Sequence, residues 1–167
     1  MSEPTPLRML KTASPLSEEE LDRAEAKVGH EFPAAYRAFL LEHNGGRPSR
    51  QVFRFTDEID EKDNSDMVEF FLYLQPTGHE NFFEYNQIFQ SRIPLDLLVI
   101  ARTPGNDLVC LATKGSHKGK VFVWVRKHEN EDDPWSPAFE LAERFDAFLA
   151  SLIDLQTYLK EAREKRK

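Results

Sequence analysis

Residues 97–127, LLVIARTPGNDLVCLATKGSHKGKVFVWVRK, contain three apolar runs separated by two turn-forming segments. The runs LLVIAR, DLVCLAT and KVFVWVRK are rich in leucine and β-branched residues and predict strands, while TPGN and KGSHKG are composed of turn residues. Connections this short join antiparallel strands, because a parallel pair needs a crossover of a dozen or more residues. The stretch therefore predicts an antiparallel meander at the centre of the fold.

Two helices are predicted ahead of this meander. Ser17 is a helix N-cap residue with Glu20 as its capping-box partner, and Gly29 ends that helix. Pro33 is expected in the first turn of the second helix, whose apolar stripe includes Tyr36. The residues predicted to stop the second helix are Asn44, Gly45 and Gly46. These glycines follow a helix, whereas the glycines of a phosphate-binding loop precede one, so we interpret them as structural.

The rest of the chain alternates short apolar runs with polar segments. QVFRF and VEFFLYLQ predict strands on either side of an acidic loop, and NFFEYNQIFQS predicts a short helix. From Ser136 as N-cap and Pro137 at the first helical position, the C-terminal segment is predicted to be helical, with Phe145 and Phe148 on its apolar stripe. The prediction is an α+β fold with a central antiparallel sheet, about residues 50–127, flanked by N-terminal and C-terminal helices.

Length and composition indicate a globular protein. The 167 residues, 40% hydrophobic and 31% charged, are expected to form one domain, with residues 1–14 as a flexible arm and residues 160–167 as a basic tail. The single cysteine, Cys110, lies in an apolar run and is expected to be a buried thiol. The N-terminus has no apolar segment of signal-peptide length and no run reaches membrane-spanning length, so we expect a cytoplasmic protein without a membrane partner.

Charge is distributed unevenly along the chain. Residues 160–167 hold five basic and two acidic residues, leaving the other 159 with 17 basic and 27 acidic residues. Two acidic stretches stand out: residues 57–69, with seven acids and one lysine, and residues 128–133, HENEDD. They are either solvated loops or a surface that attracts a basic partner. Nucleic acid is not expected to bind, because its phosphates would be repelled.

Metal and enzyme chemistry find little support in the sequence. The acidic stretches lack the spacing and the glycine of an EF-hand calcium loop. The five histidines show no metal-binding spacing, and His128 beside Glu129 is better suited to solvation than to shared ligation, since neighbours at a strand end point to opposite faces. No nucleophile elbow or glycine-rich strand-to-helix loop occurs. The expectation is a non-enzymatic protein with no cofactor, no metal and no catalytic residues.

Trp135 lies between two prolines in the second acidic stretch. It either covers the final helix or is an exposed aromatic anchor, the residue type most enriched at interface hot spots. Trp124, within a predicted strand, belongs to the sheet.

Three segments resemble the SUKH superfamily. LSEEELDRAEAKVGHEFPAAYRAFLLEHNGG resembles its opening: an acidic helix, a glycine, a proline-started helix with an aromatic residue, then Asn-Gly-Gly. IPLDLLVIARTPGNDLVCLATKGSHKGKVFVWVRKHE is similar to its central hairpins, including the Gly-x-Val-x-x-Trp strand, and LAERFDAFLASL resembles its closing helix. The residues that match this pattern are Pro33, Tyr36, Asn44, Gly45, Gly46, Trp124, Phe145 and Phe148. The acidic segment 57–66 and the residues after Leu152 have no clear counterpart.

The resemblance implies a SUKH-like fold and a protein that binds other proteins. Bacterial members are immunity proteins of polymorphic and contact-dependent toxin systems, while fungal members are regulators of cell wall and signalling. The compact chain favours an immunity protein that binds a cognate, basic toxin domain such as a nuclease; the alternative is a regulatory or scaffold protein. The expected contact residues are Asp57, Glu58, Asp60, Glu61, Asp63, Asp66, Glu129, Glu131, Asp132, Asp133 and Trp135.

Overall fold

The computed structural model describes residues 6–166 and confirms the α+β fold. The helices are α1 (Glu18–Val28), α2 (Ala34–Glu42), α3 (Phe82–Phe89), α4 (Phe145–Ser151) and α5 (Leu155–Lys165). The strands are β1 (Met9–Leu10), β2 (Arg47–Pro48), β3 (Val52–Asp57), β4 (Lys62–Met67), β5 (Phe70–Phe71), β6 (Leu97–Arg102), β7 (Leu108–Ala112), β8 (Val121–Trp124) and β9 (Ala138–Ala142).

The predicted meander forms the middle of a five-stranded antiparallel sheet with the order β5-β6-β7-β8-β9. Leu108 lies opposite Trp124 at one end of the β7–β8 pair, and Leu111 lies opposite Val121 at the other. The side chains of β7 and β8 are buried on both faces of the sheet. Cys110 is therefore fully buried, and burial raises the pKa of its thiol above the ordinary value.

The first helix begins and ends as its sequence predicts. The Glu20 N–H donates to Ser17 Oγ and the Ser17 N–H donates to Glu20 Oε1, both at 3.1 Å, which is a complete capping box. Gly29 closes the helix at φ 74°, a left-handed conformation that glycine adopts without a steric cost.

The end of α2 differs in detail from the prediction. The helix stops just before Asn44, but the residue after its last turn is His43 in an extended conformation. Asn44 is buried, donating to the Leu74 carbonyl oxygen at 3.0 Å and accepting from the Leu74 N–H at 2.9 Å. Its amide thus joins the end of α2 to the chain that follows β5, which is a tertiary role in place of helix capping.

An aromatic cluster connects the N-terminal and C-terminal helices through the core. The ring of Phe145 on α4 lies 5.2 Å, centroid to centroid, from both Tyr36 and Phe39 of α2, and Phe39 is 5.2 Å from Phe71 of β5. Phe148, one turn later, contacts Phe53 of β3. Edge-to-face aromatic pairs add about 0.5–1.5 kcal/mol each beyond area burial, so this cluster fixes α2 and α4 on the sheet.

The C-terminal segment is not continuously helical, so the helix predicted to begin at Ser136 is wrong there. Residues Ala138–Ala142 pair with β8 as the edge strand β9, with Trp124 opposite Ala138. Helix α4 begins only at Phe145, and α5 follows after a break at Leu152. The sheet accordingly reaches Ala142 and not residue 127.

The first acidic stretch is a turn only over residues 58–61, and most of the remainder is strand. Residues Lys62–Met67 form β4 and pair antiparallel with β3 in a separate two-stranded hairpin, with Asp57 opposite Lys62. The strand predicted from VEFFLYLQ is limited to Phe70–Phe71. The hairpin lies against the main sheet through stacked rings of Phe55 and Phe139 on β9.

The chain ends fit the sequence expectations only in part. Within the segment expected to be a flexible arm, residues 1–5 lie outside the described residues, while Met9 and Leu10 pair with Pro48 and Arg47 as strand β1. The basic tail continues α5 as far as Lys165. None of the helices in residues 6–166 has the length and apolar composition needed to cross a bilayer.

Candidate functional site

The tip of the β3–β4 hairpin is organised around one buried carboxylate. Asp57 is fully buried, and its Oδ1 accepts the N–H groups of Ile59 at 3.0 Å and Asp60 at 2.9 Å. Glu61 turns the chain at φ 54°, in the left-handed region. These bonds hold the tip in one conformation, and Ile59 stands on it with 48% of its surface exposed.

The hairpin tip is joined to the turn that opens the second acidic stretch. After β8, residues Arg126–His128 form one turn of 3₁₀ helix. His128 Nε2 lies 2.9 Å from Asp57 Oδ2, and Lys127 Nζ lies 2.6 Å from Asp60 Oδ2. The structure therefore brings together two acidic stretches that are about 70 residues apart in the sequence.

The environment of Asp57 keeps it ionised. Burial by itself would raise the pKa of the Asp57 carboxyl, but hydrogen bonds from the Asp60 N–H and from His128 outweigh burial and lower that pKa. A buried carboxylate with three hydrogen-bond partners is a structural clamp, because removing any partner would leave a desolvated charge unsatisfied.

Exposed carboxylates flank this clamp on both chain segments. On the hairpin they are Glu58, Glu61 and Asp63, and on the loop after His128 they are Glu131, Asp132 and Asp133. Asp63 also accepts the Thr56 hydroxyl at 3.0 Å. We call these six residues, together with Ile59, the acidic surface.

Besides Asp60, which pairs with Lys127, and Asp63, which accepts the Thr56 hydroxyl, four further residues expected to contact a partner are engaged within the chain. Asp57 is buried in the clamp, and Glu129 forms a two-point ion pair with Arg92, at 2.8 and 2.6 Å. Asp66 is half-buried, and burial raises the pKa of its carboxyl. Trp135 packs partly buried against His117 and Phe122, with ring centroids 4.9 and 5.4 Å away.

Trp135 therefore packs on the main sheet, with part of its surface still exposed. Its ring lies over Phe122 of β8 and the β7–β8 turn, while Trp124 is fully buried and donates from Nε1 to the Pro134 carbonyl oxygen at 3.0 Å. The apolar residue presented by the acidic surface is Ile59, which sequence inspection did not single out because a lone isoleucine in a polar stretch carries no distinctive pattern.

Within residues 6–166, the clamp also contains a group of side chains that could hold a metal ion. Ligand atoms of Asp57, Asp60 and His128 lie within 4.8 Å of one another. The Lys127 ammonium already neutralises Asp60, and backbone N–H groups occupy one oxygen of Asp57. All three side chains therefore already have hydrogen-bond or ion-pair partners within the protein. In the sequence His128 stands beside Glu129, and no local signal connects it with Asp57, its partner 71 residues earlier.

Comparison with known proteins places most of this architecture in one family. Residues 15–151 match the model of the SMI1 / KNR4 family (SUKH-1), a span that contains the acidic surface and all elements from α1 to α4. Helix α5 lies outside the matched span. No curated protein sequence matches the chain.

Proposed function

Because this chain belongs to the SMI1 / KNR4 family (SUKH-1), we propose that it is a non-enzymatic protein-binding module, an immunity protein that binds and neutralises a cognate toxin domain. Its contact site is the acidic surface, and its partner carries a cationic cleft such as the substrate site of a nuclease.

The observation that supports this function best is the contact between the two acidic stretches. His128 and Lys127 hold the hairpin tip through Asp57 and Asp60, so that exposed carboxylates from both segments share one end of the molecule. A surface with an excess of one sign of charge attracts an oppositely charged partner over long distances and raises the rate of encounter.

The clamp favours tight binding because it orders the surface before contact. Each side chain or loop that must be immobilised on association weakens binding, and a tip fixed by Asp57 has little left to immobilise. Ile59 adds an exposed apolar contact on the hairpin tip among these charges, and interfaces commonly combine apolar contacts with a polar rim.

The side chains that could act as catalytic groups favour binding over catalysis. The Asp57–His128 pair resembles two members of a hydrolytic triad, but the ring of His128 faces Asp57 and Asp60, and no hydroxyl or thiol bonds to it in the part of the chain that the structure describes. Cys110 is buried within β7, away from solvent. The orientation of the His128 ring and the burial of Cys110 are both typical of residues with a structural role.

The test is protection against a candidate toxin, namely the variable C-terminal domain of a large secreted protein where the neighbouring reading frame encodes one. The two proteins are co-expressed, growth is scored, and the purified complex is weighed by light scattering. The wild type is expected to protect cells and to form a complex. The triple variant Glu58→Gln, Glu61→Gln, Asp132→Asn is expected to protect poorly.

A matched control removes the same charge elsewhere. Glu31→Gln, Glu143→Gln and Glu164→Gln neutralise three exposed carboxylates outside the acidic surface, and Glu143 follows β9 at the end of the sheet away from His128. This control should protect as well as the wild type. Failure of the wild type to protect or bind would refute the immunity function, and equal loss in both triple variants would refute the assignment of the surface.

A further inference from the structure

A groove of about 820 Å³ runs along helix α3 on a part of the molecule that the acidic surface does not include. Its walls come from the end of α1, from α3, and from the segments around residues 76–78 and 93–95. Lys114, on its rim, follows β7 at the end of the β7–β8 pair opposite the end from which the His128 turn departs. Its volume lies within the range of small-molecule sites, roughly 300–1,000 Å³.

The charge of the groove is the reverse of the charge of the whole chain. The chain has 22 basic and 29 acidic residues, but the groove is lined by Lys27 and Lys114 against a single carboxylate, Glu84. Lys27 Nζ lies 4.2 Å from the centroid of the Phe83 ring, and Lys114 Nζ donates to the Gly29 carbonyl oxygen at 3.5 Å. Both ammonium groups thus lie beside residues of the same groove.

The remaining surface of the groove is apolar or uncharged. Phe83 and Ile93 contribute apolar walls, and Leu95 stands at the rim with 78% of its surface exposed. His30 contributes an uncharged ring, because burial and the nearby Lys114 lower its pKa to about 4, and its Nδ1 bonds the Thr113 hydroxyl at 2.6 Å. A ligand with an apolar body and one anionic group would fit this groove. Its anionic group would lie beside the lysines, and its apolar body would contact the apolar walls.

We propose that this groove binds a small organic anion with an apolar body, its charged group beside the ammonium groups of Lys27 and Lys114 and its apolar part against Phe83 and Leu95. The ligand class is an amphipathic carboxylate, sulfonate or phosphate monoester. The site is independent of the proposed toxin contact, since its walls include none of the residues of the acidic surface.

The test compares two fluorescent probes that share an apolar body and differ in charge. The probes are 8-anilinonaphthalene-1-sulfonate, an anion, and N-phenyl-1-naphthylamine, its neutral analogue. Titrations use the full chain, the variant Lys27→Gln with Lys114→Gln, and the control Lys62→Gln with Lys160→Gln. All four lysines are exposed, and near-ultraviolet circular dichroism verifies that each variant keeps its packed core.

The sulfonate probe is expected to bind the wild type saturably and about tenfold more weakly to the Lys27/Lys114 variant, since two ammonium contacts are lost. The neutral probe should bind both proteins equally, and the control should match the wild type. Amide chemical-shift changes on adding the sulfonate should centre on Gly29, Gly78 and Leu95. Unsaturable binding, shifts elsewhere, or equal weakening in both lysine pairs would overturn the proposal.

Discussion

Gly45 and Gly29 have similar backbone angles, φ 69° and 74°, but very different surroundings. A Cβ atom at Gly29 would meet no heavy atom within 4 Å, whereas one at Gly45 would lie 2.4 Å from Cδ1 of Tyr73. The Tyr73 ring has little room to move away, because it is buried and its hydroxyl donates to the Lys11 carbonyl oxygen at 2.6 Å. The glycine after Asn44 is therefore required by close approach as well as by backbone conformation.

Alanine at each glycine separates these two causes. Gly29→Ala should lower the free energy of unfolding by about 1 kcal/mol, the cost of a left-handed conformation for a residue with a Cβ atom. Gly45→Ala should lower it by about 3 kcal/mol, since the clash with Tyr73 adds an overpacking cost. Urea denaturation of both variants measures the difference. Similar costs at the two positions would contradict the contact with Tyr73.

His30 makes the stability of the fold depend on pH. Burial, together with Lys114, lowers the pKa of its imidazole from 6.5 to about 4. Between these pH values the unfolded chain binds more protons than the folded chain, so the stabilisation is complete above pH 6.5 and is lost as the pH falls toward about 4. The variant His30→Gln cannot bind this proton in either state.

We expect the free energy of unfolding of His30→Gln to fall less than that of the wild type between pH 6.5 and about 4. Denaturation midpoints measured across that interval provide the comparison. His79→Gln, which removes an exposed imidazole, is the control and should keep the wild-type slope. Parallel slopes for His30→Gln and the wild type would show that the His30 ring is not held neutral by the fold.

Among the secondary-structure elements, α5 is the least anchored of the helices longer than two turns. None of its residues is buried, and it contacts the outer face of the hairpin through polar groups: Tyr158 bonds Ser65, and Glu161 pairs with Arg54 at 2.6 Å. Exposed ion pairs contribute about 0–1 kcal/mol each. Helix α2, by contrast, buries Tyr36, Phe39 and Leu40.

Hydrogen exchange should reveal this difference. Amides of α5 are expected to exchange through local opening, well before those of α2 and of strand β7, which exchange only when the core opens. Mass spectrometry of peptides spanning each element measures the order. The variant Tyr158→Phe, which loses the bond to Ser65, should exchange faster in α5 and unchanged in β7. Protection of α5 equal to that of β7 would mean that the helix is part of the cooperative core.

The elements also show which parts of the fold local sequence determines. The meander from Leu97 to Trp124 was predictable because apolar runs and turn residues alternate without ambiguity, and α1 was predictable from its capping box. Residues 138–142, AFELA, have helix-favouring composition, yet they form β9 because pairing with β8 completes the sheet. Strand β4, KDNSDM, has a single apolar residue, and pairing with β3 defines it. In both cases tertiary context overrides local propensity.

The candidate site was predictable in composition and not in arrangement. The abundance of acids in residues 57–66 and 129–133 is plain in the sequence, but which of them are exposed depends on contacts made after folding. Asp57 is buried and bonds to His128, and Glu129 forms an ion pair with Arg92. Partners 71 and 37 residues apart leave no periodic trace that one sequence could reveal.

At the scale of the whole molecule, the proposed function predicts that association is governed by charge. If the acidic surface meets a cationic cleft, the association rate should exceed the ~10⁵–10⁶ M⁻¹s⁻¹ expected without steering and should fall steeply with salt, since screening acts over roughly 8–10 Å at physiological ionic strength. Neutralising Glu58, Glu61 and Asp132 should lower the rate and flatten its salt dependence. Stopped-flow mixing with the toxin domain measures both.

Dissociation should respond to a different change. Ile59→Ala removes the apolar contact without altering charge, so it should speed dissociation and leave the association rate nearly unchanged. Leu95→Ala, at an exposed leucine outside the acidic surface, is the control. An association rate insensitive to salt in the wild type would show that recognition relies on another face of the molecule.

The burial of Cys110 has a practical consequence for all of these measurements. The chain has one cysteine, and its thiol is enclosed in the central sheet, where a maleimide can reach it only after the core opens. The rate at which the native protein is alkylated therefore reports the rate of global unfolding. It also leaves the folded surface free of competing thiols, so a cysteine introduced at Glu131 could carry a fluorophore or spin label onto the acidic surface while Cys110 stays in place.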